Sequence, residues 1–203
     1  MDIRQYIVEQ DEILFKSKWH KIKKSPTGFE YNEGPGGVII LPFRFESDLS
    51  IDPFKPIKEN LCEDLGPGVQ ILLRQEPSET QMDRGYTVIT GRQDPGETIL
   101  QTAVRELKEE SGYKATPDRF EDKGDVYVGK ESPNPDRLFF VDLTGIKKGK
   151  ITTDGTYAEK HSKNKWFWIG QASDIADQSK CMYLNTAMNK FNRDREPDPG
   201  MVY

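Results

Sequence analysis

Cysteine is scarce. The 203 residues hold only Cys62 and Cys181, with none of the spacing of a zinc site or a redox pair. Both read as buried or bystander thiols, and a reducing, cytoplasmic setting is the expectation. No stretch approaches the roughly 18 apolar residues that span a bilayer, so no membrane contact is expected. The opening Met1-Asp2-Ile3-Arg4-Gln5 is polar and lacks the apolar stretch of a secretion signal. A surplus of one charge is missing as well. Charged residues make up 31% of the chain, yet the signs are interspersed and the net charge is only -5. That balance excludes the clustered basic surplus of a protein that grips DNA or RNA. Internal repeats and low-complexity tracts are absent. What remains is a hydrophobic fraction of 34%, enough for one core, or one core with a small appendage.

Alternation and punctuation predict an α+β domain. Ile13 to Ile22 reads as a strand, Ser25-Pro26-Thr27-Gly28 as a turn, and Phe29 to Tyr31 as a second strand. Together they predict an N-terminal β-hairpin extension over residues 1–35. An isolated hairpin is marginal in water, and Leu14, Phe15, Trp19 and Ile22 are too apolar to leave there. It must therefore pack on its own domain or on a partner. A catalytic domain is expected over residues 36–195, and a loose tail over residues 196–203. Within the domain, Val38-Ile39-Ile40-Leu41 is compact enough for a buried strand. Residues 44–67 dissolve into prolines and charges, a connection long enough to be functional or mobile. Strands are expected over Val69 to Leu73, Tyr86 to Ile89, Lys123 to Val128, Leu138 to Leu143 and Lys165 to Ile169. Helices are expected over Glu97 to Ser111, with Gly112 as a left-handed cap, and over Met182 to Arg193.

The first of these helices carries the chemistry. At about 100° per residue, Leu100, Ala103, Val104 and Leu107 form one packing stripe. Glu106, Glu109 and Glu110 lie beside it, with their carboxylates within reach of one point. Like charges three or four residues apart repel on a helix, and the last turn disfavours negative charge. A divalent cation would neutralise the arrangement, and Mg²⁺ prefers such hard oxygen ligands. Arg105 could hold one carboxylate by a forked hydrogen bond. A plain solvated face is the alternative reading of these glutamates taken alone.

Their surroundings decide between the two. Gly91, Glu97, Arg105-Glu106-Leu107, Glu109-Glu110 and Gly112 resemble the box of the Nudix hydrolases at every invariant position. Only the last position departs, where Tyr113 replaces an aliphatic residue. The resemblance implies a mixed β-sheet between helices, and hydrolysis of a nucleoside diphosphate joined to another moiety. It also implies dependence on Mg²⁺, with Mn²⁺ as a substitute. Carried over by position, Glu106 and Glu110 correspond to metal ligands. Glu109 is a ligand, or holds a metal-bound water. Arg105 and Glu97 are orienting groups, and Glu97 joins the metal shell in some members. The resemblance also implies that the carbonyl of Thr90, just before the box glycine, completes the site, as it often does in the family, although Ile89-Thr90 replaces a common Pro-Gly step. In some subfamilies the proton acceptor stands before a late strand. Glu159, ahead of Trp166-Phe167-Trp168-Ile169, is either that base or an ordinary loop acid.

A wider likeness concerns the substrate. The N-terminal strands, Gly36 to Pro42 and Leu72-Leu73-Arg74-Gln75 resemble the layout of ADP-ribose pyrophosphatases. Ser132-Pro133 before Asp136-Arg137-Leu138 resembles their Ser-Pro loop, but farther from the box than usual; a plain turn is the other reading. Arg74, Pro133 and Gly91 are thus the expected substrate contacts. ADP-ribose or an NDP-sugar leads. Dinucleoside polyphosphates, NADH, coenzyme A and a non-catalytic nucleotide-binding module are the alternatives. The resemblance also implies a homodimer built on the N-terminal strands. Trp19, Tyr31, Phe43 and Phe45 could stack on a base or pack in the core.

Overall fold

The computed structural model describes residues 11–17, 21–34, 36–46, 68–77, 84–127, 133–151 and 160–195. Ten strands and three helices occur among them. They are β1 (Glu12–Lys16), β2 (Lys21–Lys24), β3 (Glu30–Glu33), β4 (Gly37–Phe45), β5 (Val69–Pro77), β6 (Arg84–Thr87), β7 (Ile89–Arg92), α1 (Ile99–Ser111), β8 (Phe120–Val126), β9 (Asp136–Asp142), β10 (Lys163–Trp168), α2 (Ile169–Gln178) and α3 (Met182–Arg193).

The fold is α+β. Seven strands form a mixed sheet in the order β10-β5-β4-β9-β8, with β6 added to β5 and β7 to β4. β4 runs parallel to β9 and antiparallel to its other partners. Its first half pairs with β7 (Gly37 to Ile40) and its end with β5 (Phe43 to Phe45). Pro42, which has no N–H to donate, stands between these two pairings.

The unbroken apolar run of β4 follows from burial on both faces. Side chains alternate across a strand, so Val38 and Ile40 face one cluster while Ile39, Leu41 and Phe43 face the other. The first cluster packs Ala103 and Leu107 of α1 against Leu72, Ile89, Phe139 and Val141. The second packs Ala172 and Ala176 of α2 and Leu184, Ala187, Met188 and Phe191 of α3 against the opposite face. Phe43 belongs to this core, with its ring centroid 5.3 Å from that of Phe191. Phe45 lies at its exposed margin, and Tyr31 is half-buried in the N-terminal sheet. Trp19 lies outside the described residues. Among those described, no helix is long and apolar enough to cross a membrane.

Several expectations are corrected. The N-terminal extension is a three-stranded antiparallel sheet, not a hairpin. The run from Ile13 to Ile22 is two strands, with Lys16 paired to Lys21. The apolar residues in both, Ile13, Leu14, Phe15 and Ile22, had read as one run. Tyr86 to Ile89 is likewise two strands, interrupted at the fully buried Val88. Ile169 begins helix α2 rather than ending a strand. That helix buries only one isoleucine and two alanines, a stripe too slight to register as helical periodicity.

Candidate functional site

Helix α1 starts later than its periodicity suggested, because Thr98 caps it. The Thr98 hydroxyl accepts from the Gln101 N–H at 3.2 Å, and the Gln101 side chain accepts from the Thr98 N–H at 2.7 Å. This reciprocal pair satisfies two of the orphan donors of a helix N-terminus. Glu97 is thereby left outside the helix, free to reach back. At the other end, Gly112 adopts φ 80° and donates to the Lys108 carbonyl at 3.0 Å. A side chain there would also strike the Gly149 carbonyl, 2.7 Å from the Cβ position. Tyr113, in the aliphatic place, is buried in the α1 cluster. Its hydroxyl accepts from the Trp166 indole N–H at 3.1 Å, so the ring fills the same apolar role and the hydroxyl has a partner.

Arg105 organises the acids. Its Nε and Nη2 donate to the two oxygens of Glu97 at 2.9 and 3.0 Å, a forked pair across eight residues. Nη1 donates to Glu106 at 2.7 Å and Glu109 at 3.2 Å, and Nη2 also donates to the Arg92 carbonyl at 2.9 Å. The Arg105 hydrogen bonds pull the Glu97 carboxyl down to about 2, aided by the Thr102 hydroxyl at 2.9 Å. The same bonds raise the arginine above its ordinary value, with Glu97 the largest cause. Glu97 is therefore an anion at any physiological pH.

Glu106 lies over Gly91. A Cβ at Gly91 would sit 2.0 Å from the Glu106 carboxyl carbon and 2.2 Å from its Oε1. Only glycine leaves this space. Thr90 precedes it on β7, opposite Ile39 of β4. On the far side of the last helical turn lies Arg74, 1% exposed. Its Nη1 donates to the Glu110 carbonyl at 3.1 Å, its Nη2 lies 3.4 Å from Glu110 Oε1, and its Nε donates to Glu76.

The structure thus places Gly91, Glu97, Arg105, Glu106, Glu109, Glu110 and Arg74 along α1, from just before its N-cap to its last turn. Pro133 is exposed, and its neighbour Asn134 donates to the Gly34 carbonyl at 2.6 Å. Glu159 lies outside the described residues. Sequence reading missed Glu76, and also Asn164, whose amide donates to the Glu110 carbonyl at 2.6 Å. Only the pairing of β5 with β10 brings Asn164 there, and no local pattern announces it.

Could such a site hold a cation? Counting Glu76 and Asp94, six carboxylates gather on the two guanidiniums of Arg74 and Arg105. The donors are hard oxygens, suited to a divalent ion with some retained water. Among the described residues, no three acidic, histidine or cysteine groups already converge as an ion's ligands. Arg105 holds Glu106 and Glu109 as a gathered, charge-rich set. The chemistry of these donors fits a divalent cation.

Comparison with known proteins bears on the same region. The NUDIX domain family matches residues 64–184. A Bacillus subtilis (strain 168) protein, provisionally named an 8-oxo-dGTP diphosphatase, is 41% identical over 66 residues. That match takes in 32% of this chain and 40% of the relative, so the chain spans about two fifths of the curated protein's length. A crystal structure described as an ADP compounds hydrolase superposes with a TM-score of 0.60, covering 91% of this chain and 90% of its own at 13% identity. That likeness concerns the fold. With that match covering more than half of the chain, and the box arginine linking Glu97, Glu106 and Glu109 along one helix, the chain belongs to the NUDIX domain family.

Proposed function

We propose that the protein is a divalent-metal-dependent pyrophosphohydrolase that cleaves the anhydride of a nucleoside diphosphate derivative, with ADP-ribose or an NDP-sugar as the leading substrate. The observation that carries this reading is the position of Glu106. It lies in a space that only Gly91 leaves open, and is tied through Arg105 to Glu97 and Glu109.

In the reaction, a water oxygen bonds to one phosphorus while the bridging P–O bond breaks. The products are a nucleoside monophosphate and a phosphorylated second moiety. Glu106 and Glu110 would hold the cation, with Glu109, Glu97 and the Thr90 carbonyl completing its surroundings. Bound there, Mg²⁺ or Mn²⁺ supplies charge neutralisation on the phosphates and a lower pKa for the attacking water. Arg105 orients Glu97, Glu106 and Glu109 at once. The water's proton passes to a carboxylate, Glu109 or Glu159. Gly91 lets the chain approach the phosphates closely. Pro133 would border the second moiety. By the same reading the protein assembles as a homodimer through its N-terminal sheet, where all five residues of β1 are exposed.

A hydrolysis panel tests this function. It covers ADP-ribose, NDP-sugars, dinucleoside polyphosphates, NADH, coenzyme A and 8-oxo-dGTP, each with Mg²⁺ and with Mn²⁺. ADP-ribose or an NDP-sugar should give the highest kcat/KM. Glu106→Gln and Glu110→Gln should each lower turnover by orders of magnitude with an unchanged fold. Near-normal turnover in both variants at saturating Mg²⁺ would overturn the reading.

A further inference from the structure

A guanidinium with 1% exposure is out of place unless protein oxygens replace its lost hydration. Arg74 is such a group, and its position follows from strand parity. Leu72 of β5 faces the α1 cluster, and Arg74, two residues on, faces the same side. In the antiparallel ladder, Arg74 lies directly opposite Asn164 of β10, so the two side chains stand together under the last turn of α1. Both donate to one acceptor there, the Glu110 main-chain carbonyl, at 3.1 and 2.6 Å. Carbonyls in the final turn of a helix have no intrahelical partner, and the dipole end is negative. A cation and an amide are the complement such an end requires. Arg74 goes further. Its Nη2 lies 3.4 Å from Glu110 Oε1, and its Nε is held by Glu76.

We infer that Arg74 and Asn164 form a clamp that fixes the last turn of α1 and, through it, the carboxylate of Glu110. Arg74 is then a positioning residue for a metal ligand, a role different from the substrate contact its sequence position suggested. The main-chain bonds set where the Glu110 backbone stands, and the ion pair sets where its carboxylate points. Glu76 holds the guanidinium from behind. This inference rests on the reading of Glu110 as a cation ligand.

The test measures Mn²⁺ binding to the full chain without substrate, by electron paramagnetic resonance of free Mn²⁺, alongside thermal melts and steady-state kinetics. Arg74→Lys keeps the charge and removes the fork. It should weaken Mn²⁺ binding roughly 10–100-fold, the scale for groups that orient metal ligands. The substrate KM at saturating Mn²⁺ should stay nearly constant, and Arg74→Lys should add little in a Glu110→Gln background. Unchanged Mn²⁺ affinity overturns the clamp, whether or not KM rises. An equal loss that persists in the Glu110→Gln background also overturns it, since the effect would then be general. If Arg74→Lys does not fold, Asn164→Ala carries the same test: weaker Mn²⁺ binding supports the clamp and wild-type binding overturns it. Glu106→Gln separates the two levels. If its Mn²⁺ affinity is also unchanged, the metal-site reading itself fails; if it loses Mn²⁺ while Arg74→Lys does not, only the clamp fails.

Discussion

Adding one methyl group at Gly91 perturbs the candidate site with little else in its way. The new Cβ would lie 2.0 Å from the Glu106 carboxyl carbon, 2.1 Å from its Cγ and 2.2 Å from its Oε1. Ordinary contact begins at 3.4 Å, so the carboxyl carbon must retreat by the difference, 1.4 Å. Gly91 is not among the glycines with positive φ, so the backbone admits alanine without strain. The methyl therefore acts on one flexible side chain. Moving it strains the 2.7 Å bond from Arg105 to Glu106, a partly buried charged contact whose loss costs about 1–3 kcal/mol. The effect on catalysis should be far larger, because a misplacement of about 1 Å in a reacting assembly costs on the order of 100-fold. Gly91→Ala should melt within several degrees of the wild type, yet hydrolyse the best substrate roughly 100-fold more slowly at saturating Mg²⁺. Calorimetry and a phosphate-release assay on one preparation read both quantities. Wild-type turnover would refute the claim that Glu106 must occupy this space. A collapse of the melt in proportion to the activity would show a folding lesion instead.

Other outcomes follow from separate features. Thr98→Ala removes one half of the capping box and should cost about 1 kcal/mol of stability, read as a lower urea midpoint with the same slope. Asp122 is held below the ordinary carboxylate range, chiefly by hydrogen bonding to Arg137 at 2.6 and 2.8 Å. A depressed folded-state pKa contributes stability that is fully present above the unfolded value and is lost as pH falls through the lower, folded-state value. The drop in urea midpoint on acidification through the usual aspartate range should therefore shrink in Asp122→Asn, and an identical drop would exclude the pair as a contributor. Glu159→Gln should lower the maximal rate and reshape the pH profile while leaving Mn²⁺ affinity intact; an unchanged rate and profile make it an ordinary acid. Light scattering should show a dimer for the full chain, shifted toward monomer by Phe15→Glu on exposed β1. A wild-type chain that is monomeric at micromolar concentration and fully active would rule the dimer out as a requirement.

What the sequence determined by itself is local and periodic. Helix α1, its αL cap at Gly112 and the full extent of α3 could be read from side chains a turn apart, because helical contacts span three or four residues. The acids of the box were legible for the same reason: Arg105, Glu106, Glu109 and Glu110 belong to one helix. Alternation across β4 carried the two-sided burial of the central strand in its unbroken run. Tertiary structure decided whatever depends on which strands become neighbours. That Gly91 must be bare follows only when β7 is laid beneath Glu106. That Arg74 and Asn164 meet under Glu110 follows from the β5–β10 register, across ninety residues of chain. The weak stripe of α2 became a helix because the sheet offered Ile169, Ala172 and Ala176 an apolar face to cover, and β1 and β2 separated into two strands because they pair antiparallel with each other. Packing between distant segments leaves little trace in either segment alone, since each needs only to be apolar, or bare, or charged. Which of these complements which is set when the sheet assembles.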